Sequence, residues 1–264
     1  IMLLAPAYRA FSTTWRTLTG EAATLSRGER RRLLGAARAL SAGKVPLIAG
    51  CGSADTKAAC TLTADAVACG ADALLVITPY CNKGTADGIL EHYRRVADAA
   101  CGRPVILYNI PSRTGVDLTV AQYAALAEIP HICAVKEASG NMAKLTRLCA
   151  DGRLAVYSGN DDQILPIMAV GGHGVISVLS NLAPAAVSAM THAAADGDFA
   201  TARHLAYKYA RLISLLFAET NPAPLKYALE LLGLCRGEVR LPLAEVGDDL
   251  KAALRGELTA LGML

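Results

Sequence analysis

The chain has 264 residues, 53% of them hydrophobic and 19% charged, with a formal net charge of +3. That composition supports a sizeable core and excludes global disorder, and the small, scattered positive balance leaves no footprint for nucleic acid. No apolar run reaches the ~18 residues that a membrane span needs, and none of the eight cysteines sits in a Cys-x-x-Cys pair, so reduced thiols in a cytoplasmic protein are expected rather than a disulfide framework or a zinc site.

The opening Ile1-Met2-Leu3-Leu4-Ala5-Pro6-Ala7 is apolar but lacks a basic leader, which argues against a secretory signal. Tyr8-Arg9-Ala10-Phe11-Ser12-Thr13-Thr14-Trp15-Arg16 does not read as a buried parallel strand. Residues 27–32 are the densest basic stretch but include Glu29, and they read as a solvated helix face. Six short apolar segments follow, at 45–50, 73–78, 104–109, 132–136, 154–158 and 174–178. They are rich in Val, Ile and Leu without alternation, as strands buried on both faces should be. Helical periodicity lies between them at 56–69, with Asp55 as cap, at 86–100, and at 119–127, capped by Asp117 or Thr119.

Strand and helix alternate with a repeat of ~20 to 30 residues, the size of a βα unit. Such a repeat in ~250 residues predicts an α/β fold of the TIM (β/α)8 barrel type rather than an open doubly wound sheet. From Pro184 onward the pattern is helical, at 184–196, 199–220, 222–232 and 244–261. The expected organisation is a βα-barrel domain over residues 1–183 and a C-terminal helical region over 184–264. Eight strands are required and six are found, so the barrel is expected to be incomplete at its N-terminus or irregularly built.

The chemistry concentrates at the ends of two of these strands. Lys136 closes the apolar run His131-Ile132-Cys133-Ala134-Val135-Lys136. A lysine delivered at a strand tip is held partly out of water, and desolvation lowers its pKa. A neutral amine can attack a ketone and form a Schiff base. The alternative is a solvated strand-end lysine beside a glutamate. Tyr108 and Arg113 lie in Leu107-Tyr108-Asn109-Ile110-Pro111-Ser112-Arg113-Thr114-Gly115, just after a predicted strand. That is the rim where barrel active sites gather. A tyrosine there can relay protons, and an arginine can clamp a carboxylate. A Pro-containing surface turn is the alternative.

These segments together resemble the dihydrodipicolinate synthase family, within the N-acetylneuraminate lyase superfamily of pyruvate-dependent class I aldolases. The resemblance extends in order through Gly20-Glu21-Ala22-Ala23-Thr24-Leu25, Val45-Pro46-Leu47-Ile48-Ala49-Gly50, Ile77-Thr78-Pro79-Tyr80, Val135-Lys136-Glu137-Ala138-Ser139-Gly140-Asn141, Ser158-Gly159-Asn160-Asp161, Gly171-Gly172-His173-Gly174-Val175-Ile176-Ser177 and Asn221-Pro222-Ala223-Pro224-Leu225-Lys226. It implies condensation of pyruvate with aspartate semialdehyde, without metal or organic cofactor, in a homo-oligomer that is commonly a tetramer. By resemblance, Lys136 would carry the Schiff base and Tyr108 would move protons. Thr19 would hold the pyruvate carboxylate at a helix start, and Arg113 the carboxylate of the second substrate. Gly159 and Ile176 would line the pyruvate pocket.

Two positions depart from the family pattern. Leu18 stands where the family carries a hydroxyl residue of its proton relay, and Cys81 stands where it carries a second tyrosine. Leucine offers no hydrogen bond and a thiol only a weak one. The positions resembling a lysine feedback site hold Ala22, Arg27, Arg30, Ala54 and Ala58, with Tyr80 retained, so lysine inhibition is not expected. Another pyruvate-dependent aldolase of the superfamily, or a catalytically weak paralogue that binds a keto acid, remains open on these departures. Asp161-Asp162 reads as a turn and cap rather than an acid–base pair. Gly171-Gly172-His173-Gly174 reads as a tight turn rather than a phosphate cradle, and the five histidines show no ligand spacing.

Overall fold

The computed structural model describes residues 2–4, 11–12, 20–41 and 43–264. Strands β3 (Leu47–Gly50), β4 (Ala73–Ile77), β5 (Val105–Asn109), β6 (Ile132–Glu137), β7 (Ala155–Ser158) and β8 (Gly174–Val175) pair in sequence order, each parallel to the next. Helices α1 (Arg27–Ser41), α2 (Thr56–Ala68), α3 (Ala86–Ala99), the single turn α4 (Pro111–Thr114), α5 (Val120–Ala127), α6 (Met142–Asp151) and α7 (Ile164–Ala169) fill the connections. All six strands expected from the sequence are present, five of them shorter by one to three residues and β6 longer by one.

At the N-terminus an antiparallel ribbon stands in place of further parallel strands. Residues 8–16, which do not read as a parallel strand, contribute β2 (Phe11–Ser12), antiparallel to β1 (Met2–Leu4), which in turn pairs antiparallel with β3. An antiparallel edge ribbon carries no buried-on-both-faces signature, so its sequence gives no strand signal. The resulting eight-stranded sheet runs β2-β1-β3-β4-β5-β6-β7-β8.

The sheet has two apolar faces. Ile48, Ala73, Leu75, Ile106, Tyr108, Ala134, Ala138, Tyr157 and Ile176 form one cluster on the inner side. Leu47, Leu74, Val76, Leu107, Val135, Val156 and Val175 alternate with them and pack outward against the helices. Successive strand side chains point to opposite faces, so burial on both faces erases the alternation a one-sided sheet would show. The helices start where side chains satisfy their first N–H groups. Asp55 caps α2, Thr85 caps α3, Asn141 caps α6, and Thr119 with Gln122 forms a capping box on α5.

Beyond β8 the chain is helical, in α8 (Pro184–Ala195), α9 (Phe199–Leu216), α10 (Ala223–Leu231) and α11 (Asp248–Ala260). Leu212 and Leu216 of α9, Leu225 of α10, and Leu254 and Leu258 of α11 belong to the same contiguous cluster as the outward strand residues. The barrel wall and the C-terminal helices therefore share one core. Truncating Leu254, which is fully buried, to alanine should destabilise the protein by about 2–5 kcal/mol. Urea unfolding should remain a single transition, and an early separate loss of helix signal would contradict the shared core.

Candidate active site

Register brings the expected residues together. Parallel pairing sets Tyr108 of β5 opposite Lys136 of β6, and Lys136 opposite Tyr157 of β7. All three sit at the C-terminal ends of their strands. The Lys136 Nζ lies 4.4 Å from the centroid of the Tyr108 ring. Lys136 is only 4% exposed, and loss of hydration, helped by the positive charge of Arg113, lowers its pKa to about 7 against the raising effect of Asp161. Contact with an aromatic face favours an ammonium by only about 0.5–2 kcal/mol, so desolvation prevails and an uncharged amine is populated near neutrality. Burial pushes the Tyr108 phenol well above its ordinary value, the nearby Arg113 pulling it slightly back. The phenol stays protonated and can donate.

Lys136, Tyr108 and Arg113 line a cavity of about 570 Å³ together with Gly159, Asn160, Val178 and the segment 217–221. A second cavity of about 370 Å³ meets the same Tyr108 and Arg113 from the side of Ala22, Arg30 and Tyr80. Arg113 sits on α4, a turn started by Pro111 and closed by Gly115 in the left-handed conformation. Its Nη2 donates to the Asn221 carbonyl oxygen at 2.9 Å, so the C-terminal helical region orients an arginine at the mouth of the barrel. Ile176 is fully buried in the inner cluster. At Gly159 a Cβ would come within 2.5 Å of the Ala138 Cβ and 3.1 Å of the Lys136 Cε. Glycine is therefore required for the β7 exit to close over the lysine stem. Thr19 and Leu18 lie outside the described residues.

One residue was passed over by the sequence reading. Asp161 is 3% exposed, whereas Asp162 is on the surface. The Asp161 Oδ2 accepts the backbone N–H groups of Val178 and Leu179 at 2.9 and 3.0 Å. Burial raises its pKa while these bonds and the charge of Lys136 lower it. It does act as a cap, but for a turn seventeen positions onward, and it adds an acidic charge felt at Lys136. An Asp-Asp pair after a strand is too common a turn signal to have revealed this. Cys81 is exposed with φ of +68°, an uncommon backbone region for a non-glycine residue. Gly171 at φ +92° and Gly172, whose Cβ would meet Ile167, make a tight turn before β8.

A family model, the Dihydrodipicolinate synthetase family, matches residues 15–261. The chain belongs to this family. A 4-hydroxy-tetrahydrodipicolinate synthase of Methanosarcina mazei is 45% identical over 249 residues, covering 93% of this chain and 84% of that protein. The crystal structure of dihydrodipicolinate synthase from Aquifex aeolicus superposes with a TM-score of 0.91 at 40% identity, covering 94% of this chain and 85% of that one. The chloride-inhibited dihydrodipicolinate synthase of Acinetobacter baumannii, complexed with pyruvate, gives a TM-score of 0.91 at 40% identity, with 94% and 86% covered. The fold is thus of the TIM-barrel type with C-terminal helices.

Two outcomes follow from the site geometry. Borohydride capture of a keto acid on Lys136 should rise with pH through a midpoint of about 7, because the ammonium below it is unreactive and the amine above it is not. A midpoint near the ordinary lysine value would mean the amine is solvated. Gly159→Ala should lower kcat about 10²-fold, the cost of displacing a reacting group by about 1 Å; steady-state rates unchanged from the parent would refute the close approach.

Proposed function

We propose that the chain catalyses the 4-hydroxy-tetrahydrodipicolinate synthase reaction, condensing pyruvate with aspartate semialdehyde on the route to diaminopimelate and lysine. The observation that carries the reading is a buried lysine with its amine against Tyr108, in a cavity whose mouth holds Arg113. The names borne by the relatives support the same reaction.

The steps follow from these groups. The neutral Lys136 amine adds to C2 of pyruvate. The carbinolamine takes a proton, loses water and becomes an iminium ion. Loss of a C3 proton gives the enamine, whose C3 attacks the aldehyde carbon, and the resulting alkoxide takes a proton. The amino group of the second substrate then adds to C2 and displaces the lysine nitrogen, which closes the ring and frees Lys136. Tyr108, protonated at neutral pH, delivers and recovers protons beside C2. Arg113, held by the Asn221 carbonyl, pairs with the carboxylate of the semialdehyde as it arrives. Thr19 would hold the pyruvate carboxylate, and Gly159 and Ile176 shape the space around its methyl group. No cofactor is needed.

In this reading residues 1–183 form the catalytic barrel, 184–264 the helical region that steadies Arg113, and the protein works in the cytoplasm as a homotetramer. A second reading rests on Leu18 and Cys81. With two relay positions altered, the chain would bind pyruvate as an imine and turn over slowly, since proton relays contribute about 10²–10⁴-fold.

Pyruvate and borohydride should add one reduced pyruvate to Lys136, seen by peptide mass spectrometry and abolished in Lys136→Met. A coupled assay with aspartate semialdehyde should show turnover, and free lysine added to it should not inhibit. Trapping without turnover would favour the binding paralogue, and no adduct at Lys136 would overturn both readings.

A further inference from the structure

Behind the reacting lysine lies a second set of buried charges that the chemistry leaves unused. Glu137 follows Lys136 on β6 and therefore points to the opposite face of the sheet. It is fully buried and surrounded by donors. The Asn109 Nδ2 lies 3.0 and 3.1 Å from its two carboxylate oxygens. The Tyr123 hydroxyl of α5 donates at 2.6 Å and the Ser139 N–H at 2.8 Å. The Lys144 ammonium of α6 lies 3.2 Å away, and it also donates to Asp117 and to the Leu118 carbonyl. Asn109 completes the cluster. Its Nδ2 donates to Asp117 at 2.8 Å, and its Oδ1 accepts the Leu118 N–H at 3.1 Å.

The placement of this cluster coincides with an irregularity in the sheet. Val105 pairs with Ile132, but Ile106 pairs with Ala134, so β6 carries one extra residue, Cys133, opposite the Val105/Ile106 step. Beyond such a bulge the ladder no longer inherits its register from the preceding residues. A slip of one residue would turn Lys136 outward and Glu137 inward. After the bulge, Asn109 stands opposite Glu137 and Tyr108 opposite Lys136. The side-chain bonds between the first pair span the same two strands that must bring the second pair together.

We propose that Glu137, with Asn109, Tyr123 and Lys144, is a positioning device that locks the register of β5 and β6 beyond the bulge and so holds Lys136 against Tyr108. Glu137 is a positioning residue and touches no substrate. The polar groups facing Lys136 among the described residues are Tyr108 from β5, Tyr157 from β7, Asp161 from the loop after β7 and Arg113 from α4. Glu137 acts on the amine only through the strand. The inference rests on the Schiff-base reading, so the unaltered protein is the control.

The test compares the unaltered protein with Glu137→Gln, Tyr123→Phe and Leu254→Ala. Tyr123→Phe removes one donor and keeps the buried charge. Leu254→Ala lowers stability from α11, which packs on α9 and α10, and serves as the matched control. Each protein is assayed for the rate and pH midpoint of pyruvate trapping by borohydride, for kcat and KM for pyruvate, and for melting temperature. Glu137→Gln should slow trapping and kcat by at least ~10-fold, toward the ~10²-fold typical of a misplaced group. Its trapping midpoint should move upward, because a displaced lysine regains water, and KM should change little. Tyr123→Phe should shift both readouts in the same direction by less. Leu254→Ala should melt earlier with rate and midpoint unchanged. The proposal is overturned if Glu137→Gln and Tyr123→Phe only melt earlier, with midpoint and trapping rate as in the parent. Should Glu137→Gln fail to fold, Tyr123→Phe decides by the same two readouts. Absence of any adduct in the unaltered protein would instead remove the Schiff-base reading itself.

Discussion

Removal of water from one amine is the constraint on which the rest of this structure depends. An exposed lysine is an ammonium at neutral pH and has no lone pair to offer. Lys136 escapes that state because β6 ends inside the sheet's inner cluster, with Tyr108 on one side, Gly159 pressed against its stem and Arg113 adding positive potential. Holding such a group uncharged costs folding stability, because the unfolded chain would bind the proton more readily. The surrounding apolar wall absorbs that cost.

The wall does so by being buried on both sides. Inward residues are large at Tyr108, Tyr157 and Ile176 and small at Ala73, Ala134 and Ala138, and the cavity lined by Tyr108, Lys136 and Ala138 lies at the C-terminal ends of the strands. Outward residues weld the strands to the helices, and the C-terminal helices join the same cluster. The helical region is therefore more than a cover. Its Asn221 carbonyl fixes Arg113, and residues 217–221 form part of the cavity wall. At Glu137 and Lys144 the charge within the wall is paired and hydrogen-bonded, since an unpaired buried charge would be far more costly.

The structure brings Lys136, Tyr108 and Arg113 to one cavity, whereas Leu18 and Cys81 depart from the pattern that the sequence resembles. Tyr108 retains the geometry to serve C2 of the adduct. Cys81, exposed and in an unfavourable backbone region, keeps the turn of its segment without the phenol. In the proposed mechanism the carbon–nitrogen chemistry rests on Lys136 and the proton movement on Tyr108.

Much of this was legible in the amino-acid order. Strand segments buried on both faces announce themselves as unbroken apolar runs, so the six parallel strands and the lysine at the tip of β6 could be read directly. The Pro111–Gly115 turn gave Arg113 its place, because proline and glycine fix local backbone geometry wherever they occur. Helix α6 was not anticipated, although Gly140 and the cap Asn141 separate it from β6. The antiparallel pairing of residues 2–4 with 11–12 was equally silent. What only the tertiary structure decided was proximity between distant segments. Asp161 beside Lys136, the Asn221 carbonyl on Arg113, and Glu137 clamped by residues from three elements and a loop all depend on register and on side-chain burial. A one-dimensional pattern specifies which face a residue prefers, but packing chooses the neighbours on that face, and the burial they impose sets the charge state of Lys136.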